Sequence, residues 1–321
     1  MKDKIRVGFV YNPSNKYFSG KFFDSTPYNL FIRALPRNQD LEVTWLKGSD
    51  KEEIDFLRYK DKLDAVILYS LDYKKGNPGT YCPKIKNLEH INIPKFLFIG
   101  DCHQMTLQGR AKQYINKIRE AEISCNFFHH SKRYFHKFYP KDFDYEQIFY
   151  GFEKDLYKNP TPWGQRIKDS LLLTGSLAAG GSFYGLRIKL SKHKNVTYVG
   201  RNDNGPYIAD GFPKILQQYQ GSISSTSYMT TTKYIENSAA GCLNFMEVNK
   251  NNDVDLLGFK DGVDCIYFTE SNCDEKFNEY LKDYKNPKWQ EIAEAGKEYA
   301  WNNLTNDHSI IAIKEMIQKY L

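Results

Sequence analysis

Residues 222–248 read SISSTSYMTTTKYIENSAAGCLNFMEV and contain the signals that decide the fold of the second half of the chain. The run of hydroxyl residues ends at Thr231 and Thr232, where a side-chain oxygen can cap the first turn of a helix. Gly241 stands where a helix needs a left-handed residue at its C-terminal end. Residues 243–248 are mostly apolar, which is typical of a buried strand. The stretch therefore predicts a short capped helix that leads into a strand.

A lysine and a carboxylate lie near the start of this helix. Lys233 precedes Glu236 by three residues and Asn237 by four, and side chains at these spacings share one face of a helix. A cation, a carboxylate and backbone N–H groups at a helix start suit a ribose and a diphosphate. The spacing alone favours a solvated surface ion pair, so the rest of the chain has to decide between the two interpretations.

Strand and helix signals alternate along the whole chain of 321 residues. This alternation predicts parallel sheets covered by helices, in two doubly wound α/β domains, with the turn-rich segment 159–164 as a linker. A charged helix is predicted over residues 51–60. The predicted strands are residues 5–11, 41–46, 65–69, 95–100, 123–128, 148–152, 170–174, 196–200, 221–225, 243–248 and 265–268.

The composition is that of a folded protein, with 41% hydrophobic and 15% aromatic residues. No apolar run has the length of a membrane span, and the N-terminus leads into a strand instead of a signal peptide, so we expect a cytoplasmic protein. The six cysteines form no Cys-x-x-Cys pair. This spacing favours buried free thiols over a disulfide framework or a zinc site.

A glycine-rich loop follows the strand 170–174 and precedes a helix that carries Arg187. It begins at Gly175 and Ser176 and continues as LAAGGS. Backbone N–H groups of such a loop can approach a phosphate closely. The loop is neither a Walker loop nor an intact Gly-x-Gly-x-x-Gly, which argues against an NTPase or dinucleotide site.

Asp101 and His103 directly follow the apolar strand 95–100. Ligands of open parallel sheets bind outside the carboxyl ends of the strands, so both residues are candidates for chemistry. An equally supported alternative is that Asp101 caps the following helix and His103 bonds to a loop.

Cations alternate with aromatic residues in the segment 129–139, HHSKRYFHKFY, in the more basic half of the chain. Residues 1–152 contain 25 Lys and Arg against 18 Asp and Glu. Such a stretch can stack on bases or lie on a membrane. Tyr134, Phe135 and Phe138 recur at helical spacing, however, which favours core packing with a solvated basic face.

Two patterns suggest a metal, and we favour the plainer interpretation of each. His129, His130 and His136 have no acidic or cysteine partner at a ligand spacing nearby, so we expect no metal there. The Asp-x-Asp matches at 142–144 and 253–255 follow no buried strand and are interpreted as turns.

Four segments, in the right order, carry a resemblance to a known family. They are TKYIENSAAGC (232–242), FKDGVDCIYF (259–268), LTGS with YGLR (173–176 and 184–187) and IGDCH (99–103). The first is similar to a Lys/Arg-x-x-Glu-x-x-Ala-x-Gly segment, and the third has Gly185 in place of a proline. Together they resemble GT-B type glycosyltransferases, and most nearly the CgeB-like (spore-maturation) group among the glycosyl transferases group 1 families.

The resemblance implies two Rossmann-like domains that face a central cleft. Residues 1–152 would form the acceptor-side domain, with the last helix, about 306–321, packed back on it. Residues 153–305 would bind the nucleotide-sugar donor. Glu236 would bind the donor ribose, and the other implied donor-site residues are Lys233, Thr231, Thr232, Arg187, Gly175, Ser176 and Gly241.

Transfer of a sugar leaves negative charge on a diphosphate, and Lys233 with Arg187 can stabilise it, so we expect neither a metal nor another cofactor. If the reaction inverts configuration, Asp101 or His103 would be the base, with Asp24 in reserve. If it retains configuration, His103 would position the acceptor. Many retaining members carry a second glutamate where this chain has Tyr228, so the stereochemical outcome stays open.

The expected partners are a nucleotide-sugar donor and a glycan, lipid-linked or protein acceptor, with a peripheral contact to the inner membrane face as a further option. Two other functions stay open. One is a nucleic-acid or anionic-surface binding protein that uses residues 127–143, although nucleic acid is the less favoured partner. The other is an inactive relative that binds a sugar nucleotide without turnover.

Overall fold

A computed structural model of the chain describes residues 4–18, 20, 26–102, 109–177, 181–200 and 211–321. The chain divides into two compact units. The first contains the described residues up to Tyr150 together with Asn306–Leu321, and the second contains Gly151–Thr305. Each unit is built around its own parallel sheet.

The first unit contains a six-stranded sheet with the order β2-β1-β4-β6-β7-β8, in which every pairing is parallel. A separate two-stranded pair joins β3 and β5. Helices α1 (Ala111–Glu120) and α2 (Lys132–Phe135) belong to this unit. Its strands are β1 (Ile5–Tyr11), β2 (Leu41–Lys47), β3 (Ile54–Asp55), β4 (Ala65–Leu68), β5 (Ile85–Lys86), β6 (Lys95–Phe98), β7 (Cys125–Phe128) and β8 (Tyr145–Gln147).

The central strands of this sheet are apolar on both faces because segments on both sides cover them. All four residues of β4 are buried, as are those of β6 and β7. The segment after β1 winds as a π-helix over Tyr28–Ala34 and a 3₁₀ turn over Leu35–Arg37. Its apolar face packs into the core through Phe31 and Leu35.

Two predicted elements of this unit are wrong. The segment 51–60 is not a charged helix, because Ile54 and Phe56 are buried and β3 pairs with β5, followed by a 3₁₀ turn over Phe56–Tyr59. The segment 148–152 is not a strand. Ile148 and Tyr150 alternate inward as strand residues do, but the last backbone bond to the sheet is that of Ile148 N–H to the carbonyl of Phe128, and Tyr150 fills the core beyond it.

The second unit contains a five-stranded parallel sheet with the order β10-β9-β11-β12-β13. Its strands are β9 (Ile167–Thr174), β10 (Val196–Val199), β11 (Tyr219–Ser224), β12 (Leu243–Glu247) and β13 (Ile266–Phe268). Its helices are α3 (Gly181–Leu190), α4 (Gly211–Leu216), α5 (Lys233–Ala239), α6 (Cys273–Lys282) and α7 (Pro287–Asn303). The fold class predicted from the alternating pattern, α/β with doubly wound parallel sheets, is confirmed.

The strand order of the second unit places a topological switch point between β9 and β11. The chain leaves β9 toward β10 on one side and later returns to β11 on the other side. Loops at such a point diverge and leave a crevice beyond the carboxyl ends of the strands, where ligands of this fold bind. The glycine-rich loop follows β9, and the hydroxyl-rich stretch follows β11, so both predicted donor segments lie at this point.

The last helix, α8 (Asn306–Gln318), belongs to the first unit. Ile310, Ile313 and Ile317 are buried in the core of that unit. The Ser309 hydroxyl donates to the carbonyl of Phe149 at 2.6 Å. The C-terminal part of the chain thus completes the first core.

All six cysteines are buried free thiols, as the sequence predicts. Of the three predicted core rings, Tyr134 and Phe135 are buried and Phe138 is half-buried against the same core, whereas Lys132 and Arg133 are exposed. The core interpretation of the segment 129–139 is therefore confirmed for these rings, which are not available to stack on bases. Among the described residues no helix is long and apolar enough to cross a membrane.

Candidate functional site

Helix α5 begins at the carboxyl-end edge of the second sheet, as the opening stretch of sequence predicts. Its start differs in one respect, because Thr232 has helical backbone angles and its side chain makes no capping hydrogen bond. The first turn is closed by backbone bonds instead, including Glu236 N–H to the carbonyl of Thr232 at 2.8 Å. The Thr231 hydroxyl oxygen is buried with no hydrogen-bond partner among the described residues.

Lys233 and Glu236 form an ion pair that is mostly withdrawn from solvent, with Glu236 buried and Lys233 half-buried, and not the solvated surface pair that spacing alone favours. Lys233 Nζ donates to Glu236 Oε2 at 2.9 Å, with 15% and 7% of the two side chains exposed. The ammonium group also lies 3.6 Å from the centre of the Phe212 ring. Both charges are therefore withdrawn from bulk water. Removal of either one would leave the other charge unpaired in an environment of low polarity, which is costly.

The helix that carries this pair is fixed to the sheet by buried amides. Asn237 Nδ2 donates to the Ser224 hydroxyl at 3.0 Å, and that hydroxyl donates to Asn244 Oδ1 at 2.8 Å. Asn244 Nδ2 donates in turn to the carbonyl of Tyr234 at 2.8 Å. These bonds connect α5 to the ends of β11 and β12 and hold the ion pair in a defined position.

Arg187 ties the two loops of the switch point together. Its Nε and one terminal nitrogen donate to the carbonyl of Ser225, at 2.9 and 2.5 Å, and the other terminal nitrogen donates to the carbonyl of Ser176 at 3.2 Å. Gly175 has φ of +113°, and a Cβ there would lie 3.0 Å from the guanidinium. The structure thus brings Gly175, Ser176 and Arg187 together, and burial lowers the pKa of the guanidinium.

Gly241 lies at the other end of α5 from Lys233. Its φ of +73° confirms the predicted left-handed position at the C-terminal end of the helix. Its carbonyl accepts a hydrogen bond from Arg166 at 2.6 Å. The structure therefore does not bring Gly241 together with the start of the helix.

A pocket of about 490 Å³ opens at the same edge of the second sheet. Gly185 and Lys189 of α3 line it on one side. Tyr228 and Asn249 line it from the loops after β11 and β12, and Glu247 lines it from the last position of β12. Its volume lies within the range of about 300–1,000 Å³ that is usual for small-molecule sites. Neither Lys233 nor Glu236 is among its lining residues.

Glu247 is a buried carboxylate that the sequence reasoning missed. Oε2 accepts from the Ser225 hydroxyl at 2.5 Å, and Oε1 accepts from Asn249 Nδ2 at 3.0 Å. Burial raises the pKa of this carboxyl, while these hydrogen bonds and the nearby charge of Arg187 oppose the shift. The sequence contains a signal for this residue. Glu247 is an acidic residue at the end of a mostly apolar strand, and Asp101 is a candidate because it follows such a strand.

Asp101 is the one candidate base that lies in the described part of the chain, since His103 and Asp24 fall outside it. Its Oδ1 lies 3.5 Å from Nε2 of His130, which is buried. Asp101, His129 and His130 also offer ligand atoms that all lie within 4.8 Å of one another. The expectation that the histidines lack an acidic partner is therefore wrong, because that partner comes from the neighbouring strand end and not from nearby sequence.

The two Asp-x-Asp matches lie in turns, as predicted. Asp253 has left-handed backbone angles and precedes a 3₁₀ turn over Val254–Leu257. Asp142 lies in the turn that precedes β8. Neither pair is presented at the end of a strand.

The fold is shared with solved glycosyltransferases of the GT-B type, which have two Rossmann-like domains. Sucrose-phosphate synthase from Thermosynechococcus elongatus matches with a TM-score of 0.62 and 8% identity, over 98% of this chain and 99% of that one. An alpha-glucosyltransferase solved with UDP and a 13-mer DNA containing an HMU base matches with a TM-score of 0.64 and 10% identity, over 98% and 100%. HepE of Anabaena, solved with UDP and glucose, matches with a TM-score of 0.57 and 10% identity, over 98% and 100%.

At these identities the similarity establishes the GT-B fold, and the implied resemblance is confirmed at that level. No protein-family model matches the chain, and no curated protein matches it by sequence. The narrower resemblance to the CgeB-like group and the roles of individual residues therefore stay predictions.

Proposed function

We propose that this chain is a glycosyltransferase that transfers a sugar from a nucleoside-diphosphate sugar to a hydroxyl group of an acceptor. The observation that carries the proposal is the buried Lys233–Glu236 pair at the carboxyl-end edge of a parallel sheet. The full-length similarity to GT-B glycosyltransferases supports it, as does the partial match to the CgeB-like motif.

A buried ion pair is weak evidence for stability, because desolvation of two charges offsets most of their attraction. Its position next to a switch point is better explained by a ligand that uses both groups. In our proposal Glu236 accepts hydrogen bonds from the donor ribose, and the ammonium group of Lys233 turns toward the diphosphate. Thr231 is a further contact, since its buried hydroxyl is available for a polar group of the donor.

The reaction breaks the bond between the anomeric carbon and the diphosphate oxygen, so negative charge grows on the leaving group. A fixed cation in a site that excludes water stabilises this charge more strongly than it would in solution. We assign that role to Lys233, and we propose that the diphosphate needs no metal. Arg187 is committed to the carbonyls of Ser176 and Ser225, so we assign it to holding the loops that surround the donor.

The pocket beside Tyr228 and Glu247 has room for a further part of the donor. Glu247 can accept hydrogen bonds from hydroxyl groups, and Tyr228, with 38% of its surface exposed, can pack against a ring. We therefore propose that the pocket contributes to donor recognition. Replacement of Glu247 by Gln would then weaken donor binding without disturbing the Lys233–Glu236 pair.

The acceptor belongs to the first unit in this proposal and is a glycan, a lipid-linked glycan or a protein. If the reaction inverts configuration, Asp101 is the base among the described residues. The basic excess of residues 1–152 suits an anionic acceptor. Binding of nucleic acid through residues 127–143 is not favoured, because Tyr134, Phe135 and Tyr139 of that segment are buried.

The test is a thermal-shift screen of the full chain against UDP-, GDP-, ADP- and CMP-sugars. A ligand that binds only the folded state stabilises it by about 2.7 kcal/mol at a concentration of 100 Kd, so one class should raise the melting temperature. Uridine nucleotides come first, because HepE and the alpha-glucosyltransferase were solved with UDP. Release of the nucleoside diphosphate with an added acceptor pool then measures turnover.

The matched variants are two double replacements of an ion pair. Lys233→Met with Glu236→Gln should abolish the shift, while Lys288→Met with Glu279→Gln, an exposed pair of the same unit at 3.0 Å, should leave it unchanged. Unaltered donor binding in the first double variant would contradict the proposal. A clear shift without turnover under any acceptor would indicate the inactive sugar-nucleotide binder instead.

A further inference from the structure

We propose that Asp101, His129 and His130 form a binding site for a divalent transition-metal ion, with Zn²⁺ as the best-matched ion. The site lies in the first unit and does not depend on the proposed donor chemistry of the second. It assigns the Asp101 carboxylate to the ion, in place of the role of base that an inverting reaction would give it. The three side chains come from the carboxyl ends of β6 and β7, two adjacent parallel strands of the first sheet.

The chemistry of the three ligands selects the class of ion. Two imidazoles and a carboxylate are typical of catalytic zinc sites, which use three protein ligands and keep one position for water or substrate. Mg²⁺ and Ca²⁺ prefer oxygen ligands and would gain little from two imidazoles. Ligands of this class therefore favour Zn²⁺ and related transition-metal ions over the alkaline-earth ions.

The spacing of the ligand atoms fits a small ion. Bonds of about 2.0–2.1 Å in a tetrahedral site place the ligand atoms roughly 3.3–3.4 Å apart. Asp101 Oδ1 and His130 Nε2 are 3.5 Å apart, and all three ligand atoms lie within 4.8 Å of one another. The Asp101–His130 pair is therefore already near bonding geometry, and the ligand atoms have to approach one another by at most roughly 1.5 Å when the ion binds.

The backbone that carries the two histidines is fixed from the neighbouring strand. The Tyr145 hydroxyl donates to the carbonyl of His130 at 2.6 Å, and Gln147 Nε2 donates to the carbonyl of His129 at 3.2 Å. The Ser131 hydroxyl then caps the short helix α2. Two consecutive histidines are thus held rigidly at the end of β7, which lowers the entropy lost when an ion binds.

A left-handed glycine brings the carboxylate to the histidines. Gly100 has φ of +68° directly before Asp101, a conformation that residues with a Cβ rarely adopt. The Asp101 side chain is 34% exposed, whereas that of His130 is fully buried. An ion between them would be held from the protein side and would keep a coordination position open toward solvent.

Aromatic rings surround the imidazoles and give the site an apolar wall. The His129 ring lies 4.8 Å from that of Tyr150, and the His130 ring lies 4.9 Å from that of Tyr134. Phe128 contacts both imidazoles, with ring centres 4.3 and 4.7 Å away. Low polarity around a set of ligands strengthens its attraction for a cation.

The experiment is a calorimetric titration with Zn²⁺. The full chain is first treated with EDTA, and the EDTA is removed before Zn²⁺ is added. We expect one equivalent of Zn²⁺ to bind and no comparable binding of Mg²⁺. His129→Ala and Asp101→Asn should each weaken binding at least about tenfold, since even residues that only support metal ligands change affinity by about 10–100-fold. The absorption spectrum of bound Co²⁺ reports whether nitrogen and oxygen ligands, and not thiolates, hold the ion.

The control is His90→Ala, because His90 is an exposed histidine of the same unit that lies 3.5 Å from the carboxylate of Glu89. It should bind Zn²⁺ as tightly as the wild type. Circular dichroism of each metal-free variant separates loss of a ligand from loss of the fold. Failure of the wild type to bind one equivalent, or equal affinity in His129→Ala and the wild type, would overturn the site. Neither result bears on donor binding, which is measured separately with the nucleotide sugars.

Discussion

The Lys233–Glu236 pair gives the most demanding test of the site, because its burial predicts both a stability effect and a binding effect. The perturbations are Lys233→Met, Glu236→Gln and the double variant, which keep the side-chain volumes close to those of the wild type. Removal of one partner of a buried pair costs about 3–5 kcal/mol, because the other charge stays buried and unpaired. The exposed fractions of 15% and 7% place this pair at or slightly below the lower end of that range.

We expect Lys233→Met to lower the free energy of unfolding by about 3 kcal/mol, since it leaves the more buried carboxylate unpaired. Glu236→Gln should cost about 2 kcal/mol, because the lysine is more exposed and keeps its contact with the Phe212 ring. The double variant removes both charges but leaves the amide of Gln at position 236 buried without its partner, and it should cost about 2 kcal/mol in total. The coupling energy is then about 3 kcal/mol, at the upper end of values measured for contacting residues.

The assay is urea unfolding at 25 °C, followed by tryptophan fluorescence and circular dichroism. The chain has two units, so a free energy is extracted only where the two probes give coincident transitions. Otherwise hydrogen exchange at the amides of α5 reports the stability of the segment itself. The exposed pair Lys288–Glu279 is the matched control, for which we expect a coupling energy below about 1 kcal/mol.

A coupling energy for Lys233–Glu236 no larger than that of the control pair would refute the buried arrangement. The same variants separate stability from function, because the double variant should be more stable than the sum of the single changes and still fail to bind the donor. Because the pair is mostly buried, each single variant is expected to lose stability, whereas an exposed pair at the same helical spacing could be removed with little effect on the fold.

Three further predictions concern single features of the second unit. Burial raises the pKa of Glu247 above its usual value of 4.5 in the folded state. The protonated group therefore contributes its full stability below pH 4.5, and this contribution is lost as the pH rises through the folded-state pKa. The unfolding free energy of the wild type should accordingly fall relative to Glu247→Gln as pH rises from 4.5, and a pH-independent difference in urea unfolding would contradict this. Gly175→Ala should lower the free energy of unfolding by about 1–3 kcal/mol, because alanine is strained at φ of +113° and its Cβ meets Arg187. The control is Gly164→Ala, whose Cβ would meet nothing within 4 Å, and it should stay within about 0.5 kcal/mol of the wild type in the same urea assay. EDTA should leave the thermal shift with a nucleotide sugar unchanged, and a shift that is lost with EDTA and restored by Mn²⁺ would instead favour a metal-assisted diphosphate site.

The fold could be predicted from sequence to a large extent because its strands are strongly apolar. Long buried strands such as Ile5–Tyr11 and Leu243–Glu247 have no polar face, and their alternation with helical segments leaves few architectures. Gly241 was predicted at the end of α5 for an equally local reason, since a left-handed residue favours glycine. Signals that depend on one strand or one turn were therefore interpreted correctly.

Errors occurred where burial and not local preference chose the structure. The segment 51–60 has the charges of a surface helix, but Ile54 and Phe56 are drawn inward and β3 pairs with β5. The alternating apolar residues of 148–152 resemble a strand because the same side of the chain faces the core, although the backbone leaves the sheet after Ile148. In both cases the pattern reported which side chains are buried and not how the backbone is bonded.

The sequence by itself determined two α/β units and the elements that carry Lys233, Glu236, Gly175 and Asp101, since hydrophobic periodicity and glycine positions are local properties. Only the tertiary structure decided that Lys233 and Glu236 are buried, that Arg187 bonds the carbonyls of two loops, and that Glu247 lines a pocket. It also placed Asp101 against histidines that lie almost thirty residues further along the chain. The physical reason is that burial and charge partnership depend on which strand ends are adjacent in the sheet, and the spacing of residues along one segment does not encode that adjacency.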